Sequence, residues 1–161
     1  MSIRVRQLGP KDAIAVRDLR LEGLRLSPAN FGSSWEEEAA HPLAWWESQL
    51  AAGAHWLGAE AEDRHVGLTV VSLNSRMKLA HNADIGAVYV AERFRRRGVA
   101  FALLQSAMEY LRNRAGSATL TVSAQNHEAR RLYERLGFVV CGQLERELSV
   151  DGIFYDELVM R

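Results

Sequence analysis

Apolar positions along the chain switch repeatedly between a period of two and a period near four. Ile3-Arg4-Val5-Arg6 alternates as a half-buried strand does. Gly9-Pro10 then breaks the chain before Lys11 to Arg25, where Ile14, Leu19 and Leu24 are expected to line one face of a helix that Ser27-Pro28 closes. Ser34-Trp35-Glu36-Glu37 has the serine-x-x-glutamate form of a capping box, and Pro42 followed by Leu43, Trp46 and Leu50 predicts a second helical stretch. His55 to Ala61 and His65 to Leu73 are strand-like runs, and Glu62-Asp63-Arg64 between them makes a hairpin the simplest connection. Asp84 to Val90 is a further strand. From Val99, the residues Leu103, Leu104, Ala107, Met108 and Leu111 follow helical spacing, with Gly116 beyond the end of the pattern. Ala118 to Ser123 predicts a strand and Asn126 to Leu136 a helix ended by Gly137. Phe138 to Val150 and Ile153 to Met160 predict a hairpin, because Asp151-Gly152 suits a type I′ turn.

Hairpins are antiparallel, whereas the strand-helix-strand unit from Asp84 to Ser123 permits a parallel pair, so the expected sheet is mixed. No repeat or linker divides the chain, and 161 residues can bury roughly 70% of the unfolded surface, which predicts one domain without staples. The single cysteine, Cys141, excludes a disulfide framework and is expected as a small buried core residue. No His or Cys lies at zinc-finger spacing, so no structural metal is required. The apolar runs fall short of the roughly 18 residues of a bilayer span, and the N-terminus lacks the order of a signal peptide; a cytoplasmic protein is expected. Lys+Arg and Asp+Glu both number 20, so no global field draws nucleic acid or an anionic membrane, and neither is an expected partner. Only Lys11 and Lys78 are lysines. The remaining cations are arginines, whose forked guanidinium suits phosphate.

Candidate chemistry begins where the central strand meets its helix. Arg95-Arg96-Arg97-Gly98-Val99-Ala100 puts three guanidinium groups and a permissive glycine at a helix N-terminus, where unpaired amides and the helix dipole favour a phosphate or pyrophosphate. Gly98 and Ala100 are small enough for a ligand to approach the backbone. The segment is neither a P-loop nor G-x-G-x-x-G, and an arginine run is otherwise read as a solvated face.

Two stretches carry a resemblance. Asp84-Ile85-Gly86-Ala87-Val88-Tyr89-Val90, then Arg95-x-x-Gly98-x-Ala100 and Leu103-Leu104, resembles the pyrophosphate motif of the GNAT superfamily of acyl-CoA-dependent N-acetyltransferases. Leu120-Thr121-Val122, then Asn126-x-x-Ala129-x-x-Leu132-Tyr133-x-x-x-Gly137-Phe138, is similar to the family's second cofactor segment. The terminal stretch from Asp151 to Met160 resembles the closing hairpin of many small members. The resemblance implies an α/β GNAT fold: a mixed, mostly antiparallel twisted sheet of six to seven strands flanked by about four helices. Strands near Val88 and Thr121 would splay to admit the pantetheine arm. Residues 1–83 would form the acceptor side and 84–161 the acetyl-CoA side.

Acetyl-CoA is the implied cosubstrate, with no metal. Main-chain groups of Val88, Tyr89 and Val90 would meet pantetheine. Arg95, Arg96, Arg97, Gly98, Val99 and Ala100 would cradle the pyrophosphate, with Asn126 and Ala129 beside the arm. Asn126 also reads as an ordinary helix N-cap. Tyr133 would protonate the leaving thiolate. The implied reaction is direct attack by a primary amine of a small molecule or peptide. A non-catalytic acyl-CoA sensor and a protein N-terminal acetyltransferase are the alternatives, and a homodimer is compatible with the family. A base must deprotonate the amine. Asp84 is one candidate, on the reading that it shares a strand face with Gly86, Val88 and Val90; the other reading is a solvated carboxylate. Phe31, Trp35, Trp45 and Trp46 are read either as an acceptor wall or as core, and Glu36 to Glu38 either as an attractor for a cationic acceptor or as a cap.

Overall fold

Strands and helices alternate along residues 1–161, all of which the computed structural model describes. β1 (Arg4–Gln7) and a 3-10 turn lead into α1 (Ala13–Leu26), α2 (Trp35–Ala39) and α3 (Leu43–Ala51). β2 (His55–Ala61), β3 (Arg64–Leu73) and β4 (Asn82–Val90) follow. α4 (Val99–Leu111) carries the chain to β5 (Ser117–Ser123), and α5 (His127–Arg135) precedes the hairpin of β6 (Val140–Val150) and β7 (Ile153–Met160). The seven strands form one sheet in the order β1-β2-β3-β4-β5-β7-β6. Only the β4–β5 pair is parallel. The mixed, mostly antiparallel α/β architecture is the one expected, with five α-helices because the five-residue α2 stands apart from α3.

Local chemistry accounts for the turns. Glu62 and Asp63 both have positive φ, 50° and 58°, as do Asp151 and Gly152 at 51° and 77°, which is what two-residue hairpins with type I′ turns require. In the capping box, Ser34 Oγ accepts the Glu37 N–H at 3.2 Å and Glu37 Oε2 accepts the Ser34 N–H at 2.9 Å. The Ser34 N–H and the Ser34 hydroxyl, which donates to Glu37 Oε2 at 3.0 Å, hold the Glu37 carboxyl below its ordinary range. Glu38 is buried against Arg20 at 2.7 Å. Two glutamates of the acidic run therefore serve the fold.

α1 begins at Ala13 rather than Lys11, because Pro10–Asp12 closes a 3-10 turn first. Its buried stripe is Val16, Leu19, Gly23 and Leu24. Ile14, expected on that face, is 55% exposed. Five residues separate it from Leu19, which places the two about 140° apart around a helix. α4 packs Val99, Leu103, Leu104, Ala107 and Leu111 on one face of the sheet, against Ile85, Val90, Leu120, Val122, Leu158 and Met160. α1 and α3 cover the other face through Val16, Leu19, Trp46 and Leu50, packed on Leu68 and Tyr89.

Cys141 corrects another expectation: it is exposed. It falls where the β6–β7 register shifts between Val140 and Gly142, on an edge strand with no core behind it, and its Sγ donates to the Val159 carbonyl at 3.4 Å.

The feature that positions the site is a bulge in β4. Leu68 pairs with Tyr89 and Val70 with Gly86, so Ala87 and Val88 together stand opposite Thr69. Ala87 takes φ 52°, and Thr69 Oγ1 donates to the Gly86 carbonyl at 2.9 Å. A bulge bends its strand and adds one residue to the alternation. Hence Ile85 and Val90 both enter the α4-side core although five residues separate them. Asp84 consequently faces away from that core and does not share a face with Val90, which corrects the reading made from strict alternation. β4 and β5 pair only through Asn82↔Ser117, Ala83↔Ala118 and Asp84↔Thr119. Beyond Asp84 the two strands part.

Candidate active site

The parted strands open a cleft of about 570 Å³. Val88, Tyr89 and Val90 line it from β4, and Thr121, Val122 and Ser123 from β5. Outer strand ends that have lost their neighbour leave main-chain groups for a ligand to pair with.

One end of the cleft is built by the start of α4. Gly98 is its N-cap, in the left-handed region at φ 84°, and no side chain caps the helix. A Cβ at Gly98 would meet nothing within 4 Å, so the space over the helix start is open. The first amides of α4 are therefore free to bind an anion, with the dipole adding partial positive charge. Arg95 donates from Nε to the Val90 carbonyl at 3.0 Å, and its guanidinium lies 5.6 Å from the centre of the Tyr89 ring. It ties the end of β4 while presenting charge to the cleft. Arg96 lines the cleft as well, and α5 adds Arg131 and Arg135. Arg97 instead lies 5.9 Å over the Phe94 ring and is not part of the lining.

α5 supplies the next groups. Asn126 Oδ1 accepts the Ala129 N–H at 3.1 Å, capping the helix. That bond uses the oxygen and leaves the amide N–H donors for the cleft, which Asn126 also lines, so the two readings of this residue are compatible. Ala129 and Tyr133 follow on the same lining. Tyr133 is buried, edge-on to Phe138 at 6.3 Å, and burial alone pushes its hydroxyl up to about 12.

On the opposite side of the sheet, Ser27, Asn30 and Phe31 reach the cleft. Phe31 packs 6.2 Å from Tyr89, and the Arg20 guanidinium sits 4.9 Å over its ring. Trp35 lies under Arg25 at 4.8 Å and is outside the lining. Trp46 is core, 2% exposed, with Trp45 edge-on to it at 4.9 Å and stacked on His41. Asp84 is likewise outside the lining, at the end where β4 and β5 are still paired.

The sequence profile of the acetyltransferase (GNAT) family matches residues 20–138. The chain belongs to the GNAT acetyltransferase family. Solved GNAT-like structures share its fold end to end. The acetyltransferase of GNAT family from Streptococcus pneumoniae is 24% identical with a TM-score of 0.87, over 99% of this chain and 98% of that one. A ribosomal-protein-alanine N-acetyltransferase from Brucella melitensis is 23% identical with a TM-score of 0.79, over 98% and 97% of the two chains. The yncA protein from Salmonella typhimurium, solved with its cofactor acetyl-CoA, is 20% identical with a TM-score of 0.79, over 99% and 92%. No curated protein sequence matches the chain.

GNAT enzymes move an acetyl group from acetyl-CoA to an acceptor, and the cleft of this GNAT fits the donor on its own chemistry. An uncapped helix start at a left-handed glycine, arginines on both sides and an unpaired strand edge meet the needs of a pyrophosphate and an amide-bearing arm. Arg131 and Arg135 escaped the sequence reading, although their i, i+4 spacing put them on one face of α5. The parting of β4 and β5 near Val88 and Thr121 is the one the resemblance implied, and it adds Ser123 to the lining. No helix of the GNAT chain is long and apolar enough to cross a membrane.

Proposed function

We propose that this protein is an N-acetyltransferase acting on a primary amine of a small molecule or peptide, with donor groups drawn from residues 84–161 and the acceptor entering from the side of residues 1–83. The observation that carries the reading is the convergence, in one cleft, of the open α4 start at Gly98, four arginines and the buried Tyr133. Bound acetyl-CoA supplies an activated thioester.

The chain's residues divide the remaining work. Amides of Val99 and Ala100 with Arg95, Arg96, Arg131 and Arg135 hold the pyrophosphate; main-chain groups of Val88 to Val90 and the Asn126 amide orient the arm. Tyr133 keeps its proton at neutral pH as any tyrosine does, burial widening that margin, so it reaches the reaction as a loaded acid and gives that proton to the departing sulfur. Phe31 provides a rigid apolar wall where the acceptor enters. The amine attacks directly, and Cys141, exposed on β6, takes no part.

One of the similar structures is a ribosomal-protein-alanine N-acetyltransferase, which places N-terminal peptide amines beside small amines in the panel to be tested. The test is CoA thiol release with that panel. Release that depends on an amine, with acetylated amine as product, supports the proposal; release only with alcohol acceptors, or none, overturns it.

A further inference from the structure

Parity across β5 and β7 determines which side chains face the acceptor side of the sheet. Leu120 and Val122 lie in the α4-side core, so Thr121 and Ser123 between them face the other side, where the acceptor would enter beside Phe31. On β7, Leu158 and Met160 are in that same core, and Glu157 therefore faces as Thr121 and Ser123 do. Glu157 is the direct cross-strand partner of Ser123. It stands one strand behind the cleft wall, at the level where β4 has already left β5.

We propose that Glu157 is the general base of this enzyme, receiving the proton of the acceptor amine through the hydroxyl of Thr121, which lines the cleft where Glu157 itself does not. The inference rests on the N-acetyltransferase reading. In the step, the amine nitrogen forms a bond to the acetyl carbon as the carbon–sulfur bond breaks. The surplus amine proton passes to the Glu157 carboxylate, the sulfur takes the Tyr133 proton, and solvent exchange restores both residues.

Competing carboxylates are engaged or misplaced. Glu22 Oε1 accepts the Tyr89 hydroxyl at 2.7 Å, Glu38 is paired with Arg20, and Asp12 and Glu60 share Arg6. Asp84 sits at the closed end of the split, and Glu128 lies at the start of α5 on the donor side. Glu157 is absent from every ion pair of the molecule. From β6 the charge that bears on it is Glu147, while Arg146 is taken up 3.9 Å over the Phe154 ring. From β5 it meets Thr121 and Ser123, and the Pro28–Asn30 turn on that side carries no ionisable side chain. Burial first, then Glu147, raise the Glu157 carboxyl above its ordinary range, with the Thr121 hydroxyl opposing them. A carboxylate with raised proton affinity is a better base near neutral pH. The same unpaired charge favours a cationic amine at the cleft mouth.

The test combines kinetics with a titration that needs no turnover. Glu157→Gln should lower kcat about a hundredfold near neutral pH and abolish the acidic limb of the kcat/KM profile, with calorimetric acetyl-CoA affinity within about twofold of wild type. Glu147→Gln should move that limb to lower pH. In the ligand-free wild-type protein, the carbon-detected NMR titration of the Glu157 carboxyl should have a midpoint above the ordinary glutamate range and coincide with the limb. If Glu157→Gln fails to fold, the Glu147→Gln shift and the wild-type titration decide. Retention of kcat and of the acidic limb in folded Glu157→Gln overturns the assignment, as does a Glu157 midpoint in the ordinary range. A wild-type protein that acetylates no amine defeats the N-acetyltransferase reading instead, and acetyl-CoA affinity measured on the same sample shows that the two failures are distinct.

Discussion

A Cβ on Gly67 would lie 2.9 Å from the main-chain carbonyl oxygen of Tyr89. It would also lie 3.1 Å from Leu103 and 3.2 Å from Val99, so β3 is wedged between the bulged end of β4 and the first turns of α4. A backbone oxygen cannot swing aside as a flexible side chain does. Gly67→Ala should therefore cost about 1–3 kcal/mol in denaturant unfolding and also weaken acetyl-CoA binding, because both walls of the donor end must shift. Unfolding and calorimetry on one sample check both halves. Loss of stability with unchanged affinity would show that the donor end tolerates movement of β4.

Tyr133→Phe removes one oxygen from a buried ring and leaves the packing against Phe138 in place. Turnover with the best acceptor should fall about a hundredfold while acetyl-CoA affinity holds. The basic limb of the wild-type pH profile should not belong to Tyr133, since its hydroxyl titrates only near about 12. Wild-type turnover in the variant would assign protonation of the sulfur to water.

Asp12 offers a test of stability against pH. Its carboxyl accepts two bonds from Arg6, at 3.0 and 2.8 Å, and the Gly9 N–H at 2.9 Å, which together hold it at about 2 against an ordinary 3.8. A depressed carboxylate stabilises the fold fully above its unfolded value and loses the contribution as pH falls through the folded one. Asp12→Asn should therefore lower stability by about 2 kcal/mol near pH 7. The gap from wild type should shrink progressively from about pH 4 towards about pH 2. Denaturant melts across that window check it, and a gap constant with pH would assign the loss to geometry rather than charge.

Phe31 and Trp35 should behave differently despite being four residues apart. Phe31 lines the cleft against Tyr89, whereas Trp35 stacks under Arg25 outside it. Phe31→Ala should raise the acceptor KM or reorder the amine ranking with acetyl-CoA affinity intact. Trp35→Ala should alter thermal stability and leave the ranking alone. The reverse pattern would move the acceptor entrance towards α2.

Elements whose signals are local were legible in the sequence. The α4 start at Gly98, the Asn126 cap, the Ser34 capping box and the Asp151-Gly152 turn each depend on residues a few positions apart, and each stands where expected. What was not legible depends on neighbours far along the chain. The β4 bulge is set by Thr69 on another strand, and it put Val90 on the face opposite Asp84. Cys141 was exposed by the place of β6 at the sheet edge. Trp46 belongs to the core because α3 lies against α1 and β3, a contact that apolar spacing alone does not distinguish from a pocket wall. The side on which Glu157 stands follows from its pairing with Ser123, which no pattern within β7 encodes.

If the open start of α4 holds the pyrophosphate of acetyl-CoA, calorimetric titration of acetyl-CoA into Gly98→Glu reads the loss of that contact. At φ 84° any side chain is strained, so Gly98→Ala serves as the control that carries the strain without the charge. Thermal unfolding must show both variants folded. Affinity should fall moderately in Gly98→Ala and become undetectable in Gly98→Glu, whose carboxylate would occupy the anion site. Wild-type affinity in a folded Gly98→Glu protein would place the cofactor away from the start of α4.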